Sequence, residues 1–364
     1  MKRRAFITGA AAGIAGVAAS SLPKPAIAQG KRQLKMVTTW PKNFPGLGTG
    51  AQRAADRITE MSDGQLEVKL FAAGELVPAF ESFDAVSNGT ADMYHGAEYY
   101  WQGKSKAFNF FAAVPFGLTA TEQNAWVYYG GGQELWDELS AGFKIKPFMA
   151  GNTGVQMGGW FNKEINGLED YKGLKIRMPG LGGEVLRKIG AAAVSLPGGE
   201  IFPSLQSGAI DATEWVGPWN DLAFGFYKVT KYYYYPGFHE PGTTLSSGVN
   251  LDVWNSLSKT QQSIITNAFA AENSHLLAEF NARNGNSLDT LINKHNVVLR
   301  KFSDEVMAAI GKASGEVVKE AAAGDAMTKK VYDSFIAART KSIAWSKISD
   351  QAYWNARLLR FKYG

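Results

Sequence analysis

LKMVTTW at residues 34–40, AQRAADRITEM at 51–61 and QLEVKLF at 65–71 follow one another near the start of the chain. The first and third segments alternate in a β-rich pattern that predicts strands, and the second has an apolar stripe at helical spacing. A strand, a helix and another strand in that order favour α/β units with parallel pairing. These segments therefore predict an α/β fold.

The same order of elements recurs further along the chain. Strands are predicted near residues 92–96, 143–149, 155–161, 174–178 and 193–196, with helices near 79–87, 183–190 and 203–207. We interpret these elements as two α/β blocks that divide near Gly151. From Asn255 onward the sequence changes to long amphipathic helices, predicted at 259–294, 304–323 and 326–362.

The first 28 residues have the features of a cleavable signal peptide. Basic residues at 2–4 precede a Gly- and Ala-rich apolar run, and the segment closes on Ala26-Ile27-Ala28. Paired arginines followed by Phe-Ile predict the twin-arginine export route, with cleavage after about Ala28 and a periplasmic location. Without residues 1–28 the formal charge falls from +5 to 5 − 4 = +1. The mature chain therefore gives no electrostatic case for nucleic-acid binding.

Several classes of site are disfavoured by composition and spacing. The chain has no cysteine, which excludes disulfides, thiolate zinc sites and iron–sulfur clusters. GLGTGA at 46–51 matches a dinucleotide fingerprint, but residues 41–45 separate it from the preceding strand, so we interpret it as a loop that opens a helix. We interpret each of the four histidines as a surface or packed residue, since none has zinc-ligand spacing: His95, His239, His275 and His295.

After cleavage, 364 − 28 = 336 residues remain, which indicates at least two domains.

Arg177 is the first candidate binding residue. It lies in LKIRMPG at 174–180, shortly after the block GNTGVQMGGWF at 151–161. An unpaired buried charge is costly, so Arg177 must face a partner or a cavity. The guanidinium fits a carboxylate with two hydrogen bonds. A substrate acid and an internal salt bridge both remain open.

Two glutamates are candidate metal ligands. Glu214 precedes Trp215 in DATEWVGP at 211–218, and Glu240 follows YYYYPGFH at 232–239. Carboxylates, amide oxygens and backbone carbonyls are the ligands that hard cations prefer. Local sequence alone leaves open that both glutamates are solvated loop residues.

These blocks resemble the periplasmic binding subunits of TRAP transporters, the DctP-type family, and most of all its TakP-type branch, which binds 2-oxoacids such as pyruvate. The resemblance covers nearly the whole mature chain and includes AGELVP at 73–78 and AVPF at 113–116. It implies a two-domain α/β periplasmic binding protein fold with a hinge cleft, a long bridging helix and a helical C-terminal tail. Domain I would comprise 29–152 plus about 242–285, domain II 153–241 plus about 286–325, and the tail 326–364.

The resemblance also implies site roles. Arg177 would clamp the substrate carboxylate, with Asn152 as a polar neighbour and Tyr100 as a hydroxyl contact. The cation, sodium or calcium, would touch the substrate and would be held by four residues: Gln156 through its amide oxygen, Glu214 and Glu240 through carboxylates, and Trp215 through its backbone carbonyl. His239 stands where close relatives have an aromatic residue.

Charge counting supports a cation independently. The formal charges of Glu214, Glu240 and a carboxylate substrate sum to −3, and Arg177 contributes +1. A residual −2 in a poorly solvated cleft is costly. Sodium would leave −1 and calcium would leave zero.

The implied function is an extracytoplasmic receptor that passes a small organic acid to TRAP membrane subunits, with no catalytic residue and no catalytic cofactor. A receptor for lactate or another 2-hydroxy acid, a sensor-associated binding protein and a twin-arginine-exported enzyme are the alternatives. The aromatic C-terminal helices either pack on their own domain or form a homodimer.

Overall fold

The computed structural model describes residues 31–363, so the signal peptide predicted at 1–28 and its cleavage site lie outside the described residues. The strands are β1 (Arg32–Thr38), β2 (Leu66–Phe71), β3 (Met93–Gly96), β4 (Ile145–Asn152), β5 (Gly159–Phe161), β6 (Lys175–Arg177), β7 (Ala192–Val194), β8 (Ala212–Thr213), β9 (Tyr232–Tyr235), β10 (Thr244–Asn250) and β11 (Val298–Lys301).

Helices connect these strands and form the C-terminal part of the chain. They are α1 (Leu47–Met61), α2 (Ser82–Ser87), α3 (Phe108–Ala112), α4 (Ala120–Tyr129), α5 (Gly132–Ala141), α6 (Gly180–Lys188), α7 (Gly198–Gln206), α8 (Pro218–Phe224), α9 (Leu251–Ser256), α10 (Lys259–Asn293), α11 (Asp304–Ala321), α12 (Ala326–Ser346) and α13 (Asp350–Arg357). The predicted α/β class is confirmed.

The first sheet has the strand order β2-β1-β3-β10-β4. β1 lies parallel to β2 and β3, so that Met36 pairs with both Leu70 and Met93. Leu34 and Met36 are fully buried, whereas Lys35 between them is exposed. Burial thus alternates at the start of β1, as the sequence pattern predicts, but Val37 and Thr38 are also buried, so both faces of the strand are covered at its C-terminal end.

The second sheet has the order β11-β9-β5-β8-β6-β7. β6 lies parallel to β7 and β8, which places Arg177 opposite Val194 and Thr213. β5 runs antiparallel to β8 and β9, with Trp160 opposite Thr213 and Tyr233. Arg177 thus lies at the end of an interior strand of this sheet.

Strand pairing differs in part from the parallel arrangement that the sequence predicts. β10 is antiparallel to both of its neighbours in the first sheet, and β5 is antiparallel to both of its neighbours in the second. β10 follows the second block in the chain and returns to the first sheet. A strand that re-enters from the opposite end runs antiparallel, which local periodicity does not reveal.

Each sheet takes its strands from a different part of the predicted division of the chain. The strands of the first sheet fall within 29–152 and 242–285, and those of the second fall within 153–241 and 286–325. That these parts behave as separate domains stays a prediction.

Helix α10 is the long helix that the sequence predicts at 259–294. Ser258 caps it by accepting a hydrogen bond from the Gln261 backbone, and the Gln261 side chain accepts from Ser258 in return. Its 35 residues extend over about 52 Å. The helix packs against β4 of the first sheet, α1 and α8, the last of which follows β8 of the second sheet. It therefore contacts the first sheet directly and also the helix that follows a strand of the second sheet.

The C-terminal segment is interrupted, which corrects the continuous helix predicted at 326–362. α12 ends at Ser346, α13 covers Asp350–Arg357, and the residues beyond Arg357 are not helical up to Tyr363. Val331 and Phe335 of α12 are buried, whereas α13 buries no residue. A short helix without tertiary packing is marginal in water, which accounts for the early end.

Within residues 31–363, no helix combines the length and the apolarity needed to cross a membrane.

Candidate functional site

Arg177 is buried at the end of β6, with only 1% of its surface exposed. Its Nη1 forms an ion pair with the Glu214 carboxylate and donates to the Glu214 backbone oxygen at 3.1 Å. Nε donates to the Leu196 carbonyl at 3.2 Å, and Nη2 donates to the Tyr100 hydroxyl at 3.4 Å. The guanidinium carbon lies 5.0 Å from the centre of the Trp215 ring. Of the two alternatives for Arg177, the structure shows the internal ion pair.

Glu214 connects Arg177 to a histidine. One carboxylate oxygen pairs with Arg177, and the other lies 3.0 Å from Nε2 of His239. Burial lowers the pKa of His239, but the charge of Glu214 and its hydrogen bond raise it, and the net pKa lies above the ordinary value. Among the described residues, Nδ1 of His239 has no hydrogen-bond partner.

Gln156 and Glu240 form the second half of the cluster. The Gln156 amide nitrogen donates to Glu240 at 2.8 Å, to Thr153 at 3.0 Å and to Thr243 at 3.1 Å. The Thr243 hydroxyl also donates to the Glu240 carboxylate. Within the part of the chain that the structure describes, Oε1 of Gln156 is buried without a partner. An acceptor left unpaired in this way is costly unless a ligand completes it.

The pKa of Glu240 is raised to about 7. Burial is the main cause, and the nearby charge of Glu214 adds to it, while His239 and Thr243 act in the opposite direction. Two carboxylates in one buried site repel each other, so the cluster favours either a proton or a cation.

The residues present fit a metal cation. Glu214, His239 and Glu240 each offer one ligand atom, and these atoms lie within 4.8 Å of one another. The unpaired amide oxygen of Gln156 belongs to a side chain that already contacts Glu240. Two carboxylates and an amide oxygen are the donors that a hard cation prefers.

Two substrate residues predicted from the sequence have different surroundings. Tyr100 contacts Arg177 directly, and burial raises the pKa of its hydroxyl to about 12, so the group stays protonated and able to donate. Asn152 instead binds backbone groups: its oxygen accepts from Gly154 at 2.9 Å, and its nitrogen donates to Gly242 at 3.5 Å. The structure therefore places Asn152 at the end of β4, where it binds the start of the loop that carries Gln156, and its contact with a substrate stays a prediction.

A small cavity of about 10 Å³ adjoins the cluster. It is lined by Trp40, Leu47, Tyr99, Tyr100, Thr153, Gln156, Trp215, Val216, Thr243 and Leu245. A cavity needs roughly 10–15 Å³ to hold one water molecule. The site is thus almost closed, and an organic acid would require these side chains to move.

A surface groove of about 550 Å³ lies on the Tyr100 side of the cluster. Its walls come from residues within 39–81 and from residues within 195–200. Phe80 in one wall packs on Tyr100 with ring centres 4.6 Å apart, and Leu196 in the other wall accepts the hydrogen bond from Arg177. The groove therefore reaches two of the contacts that surround Arg177.

His239, Thr153 and Thr243 belong to the cluster but were given no binding role from the sequence. Thr153 lies inside the block at 151–161, and His239 directly precedes Glu240. Gln156 donates to Glu240 and Thr243, which lie 84 and 87 positions away from it in the chain. Local patterns carry no signal for such long-range contacts.

The family model for bacterial extracellular solute-binding proteins, family 7, matches residues 36–325. The chain belongs to this family, also called DctP. The resemblance read from the sequence is therefore confirmed.

Similar proteins agree with this membership. The chain is 44% identical over 321 residues to a monocarboxylate 2-oxoacid-binding periplasmic protein of Nostoc sp., covering 88% of each chain. A TRAP periplasmic solute-binding protein of Pseudoalteromonas atlantica, with sodium and pyruvate bound, is similar with a TM-score of 0.86 and 43% identity over 89% of this chain and 99% of that one.

A TRAP transporter solute-binding protein of Bordetella bronchiseptica is similar with a TM-score of 0.88 and 36% identity. The match covers 90% of this chain and 97% of that one. Its crystal structure is a mixed-occupancy dimer, with copurified calcium and picolinate in a bound active site and with an apo site. The DctP fold of this chain is thus shared with proteins that hold an acid and a metal together.

Proposed function

We propose that this protein is the extracytoplasmic solute receptor of a TRAP transporter. It binds a small 2-oxo monocarboxylate, pyruvate or a close analogue, together with sodium or calcium between its two sheets, and delivers the acid to the membrane subunits. One observation supports this most: Arg177 and the unpaired Oε1 of Gln156 lie in one buried cluster that holds two carboxylates. Relatives at 43% and 44% identity bind pyruvate or 2-oxoacids.

Arg177 acts by exchanging partners. In the described state it pairs with Glu214, which satisfies a guanidinium that is otherwise costly to bury. On ligand binding it turns to the substrate carboxylate, which it can hold with two hydrogen bonds. Tyr100, already in contact with Arg177, donates to the same acid.

Glu214, once released, joins Gln156, Glu240 and the Trp215 carbonyl as a cation ligand. A bound cation supplies the positive charge that offsets two buried carboxylates and the substrate acid. His239 remains beside Glu214 and orients its second oxygen. The chain's own residues do no chemistry on the ligand, so no catalytic residue is assigned.

Opening and closing of the two parts admits the ligand. The cavity of about 10 Å³ is smaller than any organic acid, so the walls must separate before binding. The groove beside Tyr100 is lined from both sides of the predicted domain division, which makes it the natural place for this opening. Ligand and cation contacts made to both parts favour the closed state.

Export to the periplasm through the twin-arginine route is part of this proposal. Residues 1–28 carry the features of a cleavable signal peptide, and the family is extracellular. An enzyme exported by the same route is the alternative from another class, and turnover of a 2-oxoacid by the purified protein would identify it.

A second copy of this chain is the proposed partner of the C-terminal segment. Trp345, Trp354 and Leu358 are 66%, 48% and 80% exposed. Contiguous large apolar side chains on peripheral helices favour a partner. The similar protein of Bordetella bronchiseptica is a dimer, which supports the same arrangement here.

A ligand panel tests the proposed function. The protein is unfolded and refolded to remove any carried ligand, and pyruvate, longer 2-oxoacids, lactate and glutarate are added in turn with calcium or sodium. We expect a rise in Tm with pyruvate and other 2-oxo monocarboxylates, because ligands that bind only the folded state stabilise it. A response to lactate alone would assign the protein to 2-hydroxy acids, and no response to any monocarboxylate would contradict the proposal.

A further inference from the structure

Asp221 is a buried carboxylate outside the ligand set proposed above. It lies in the first turn of α8 and is 1% exposed. Its Oδ2 accepts hydrogen bonds from the Trp160 indole at 3.0 Å and from the Tyr233 hydroxyl at 2.6 Å, and its Oδ1 accepts from the Val216 backbone N–H at 3.3 Å. Burial raises the pKa of Asp221 to about 7, although the three hydrogen bonds act against the increase. A carboxylate buried in this way lowers the stability of the fold, so its presence calls for a functional explanation.

Val216 connects the segments that carry two of the proposed cation donors. Val216 directly follows Trp215, whose carbonyl is one donor. The Val216 carbonyl accepts from the Met157 N–H at 3.1 Å, and Met157 directly follows Gln156, the other donor. Asp221 thus holds the Trp215–Val216 peptide group, which includes the Trp215 carbonyl, and the next peptide group, Val216–Gly217, holds the Gln156 loop.

The opposite side of Asp221 is fixed by the second sheet. Trp160 of β5 and Tyr233 of β9 stack with ring centres 4.0 Å apart and an interplanar angle of 18°. Both aromatic residues are fully buried, and their strands pair directly. Asp221 therefore connects a rigid part of the sheet to the loop at 214–217.

We propose that Asp221 is a positioning residue for the cation site, which rests on the proposed function. It fixes the Trp215–Val216 peptide group so that the Trp215 carbonyl and the Gln156 amide oxygen converge on the same point. Groups that orient metal ligands from behind typically change metal affinity by about 10- to 100-fold when they are removed. The hydrogen bonds of the Arg177 guanidinium go to Glu214, Leu196 and Tyr100 and do not involve Asp221.

Asp221→Asn is the direct test, with Tyr233→Phe as the matched control. The amide of Asp221→Asn has a single acceptor oxygen, so it cannot serve Val216 and Trp160 together. Tyr233→Phe removes one donor to the same carboxylate but leaves the Val216 contact and the ring stack in place. Calcium binding is measured by calorimetry at saturating pyruvate, together with Tm, for the wild type and both variants.

We expect Asp221→Asn to weaken calcium binding by about tenfold or more. Tyr233→Phe removes one bond that holds Asp221 but keeps the carboxylate and its Val216 contact, so it should lower Tm and weaken calcium binding far less. Pyruvate affinity at saturating calcium should change far less than calcium affinity does. Equal losses of calcium affinity in the two variants, or none in either, would overturn the positioning role.

Hydrogen exchange gives a second measurement if Asp221→Asn does not fold. In the calcium-free wild type, the Val216 amide should be protected from exchange because Asp221 accepts its hydrogen bond. Exchange at the rate of a free loop amide would overturn the proposal. A wild type that binds neither calcium nor pyruvate would contradict the proposed function, whereas the Val216 measurement would still decide whether Asp221 fixes the loop.

Discussion

Arg53 and Arg177 each pair with a buried glutamate, yet the two clusters differ in how fully their polar groups are paired. Glu272 of α10 is fully buried and accepts three bonds from Arg53, the shortest at 2.6 Å, and one from Arg57 at 3.0 Å. Arg53 also reaches Glu279 at 3.1 Å. Arg283 of α10 pairs with Glu279 as well, at 3.0 Å, so three arginines face two glutamates and no negative charge is left over.

The cleft cluster is not balanced in this way. Glu214 and Glu240 share one arginine, and Oε1 of Gln156 and Nδ1 of His239 are buried without partners as far as residues 31–363 show. Buried polar groups are nearly always paired in folded proteins. A charged cluster whose polar groups are all paired stabilises the fold, whereas a cluster with unpaired acceptors and excess negative charge is suited to bind a ligand.

Removing each arginine should separate these roles most strongly. We expect Arg177→Ala to weaken pyruvate binding by about 1,000-fold, because it leaves a buried carboxylate without its charged partner. Arg53→Ala should lower Tm and leave pyruvate affinity unchanged. Calorimetric titration and thermal unfolding of both variants measure this. Arg177→Lys keeps the charge without the two-bond geometry and should fall between the wild type and Arg177→Ala. Equal binding losses in Arg53→Ala and Arg177→Ala would remove the distinction.

Glu240→Gln should have the next largest effect. The variant retains an acceptor for Thr243 but loses a negative charge from the proposed cation site, so we expect the dependence of pyruvate binding on calcium to fall by about 10-fold or more. Pyruvate titrations with and without calcium measure the dependence. Glu279→Gln, in the Arg53 cluster, is the control and should leave it unaltered. An unchanged calcium effect in Glu240→Gln would exclude this carboxylate from the site.

Glu98 offers a test of burial without ligand binding. Burial raises its pKa from 4.5 to about 7, although the Tyr94 hydroxyl, which donates at 2.6 Å, acts in the opposite direction. The unfolded chain releases the Glu98 proton first as pH increases, so this residue lowers the free energy of unfolding progressively between about pH 4.5 and 7. We expect Glu98→Gln to stabilise the protein by up to about 3 kcal/mol at pH 8 and by much less at pH 5. Urea unfolding at both pH values measures the difference, and an equal effect at pH 5 and pH 8 would contradict the account.

The C-terminal segment should affect binding least. Leu358→Asp places a charge among exposed apolar side chains and should convert a dimer to a monomer without changing pyruvate affinity. Sedimentation velocity at micromolar concentrations, with Lys362→Asp as a control outside the apolar set, measures this. A wild-type protein that sediments as a monomer would contradict the proposed partner.

Sequence patterns predicted the parts of this molecule that depend on near neighbours. The strand at 34–40 and the long helix beginning at Lys259 follow from periodicity, and a partner for Arg177 follows from the cost of an unpaired buried charge. The return of β10 to the first sheet and the contacts of His239 depend on residues far apart in the chain. The end of α13 at Arg357 depends on an absence of packing that an amphipathic pattern does not report.

A crystal structure of the refolded protein with pyruvate and calcium would show whether Arg177 exchanges partners on ligand binding. We expect the Arg177 guanidinium to lie on the pyruvate carboxylate and Glu214 to have moved from Arg177 to the cation, alongside Gln156 and Glu240. An Arg177–Glu214 ion pair that persists unchanged, with pyruvate bound elsewhere, would contradict it.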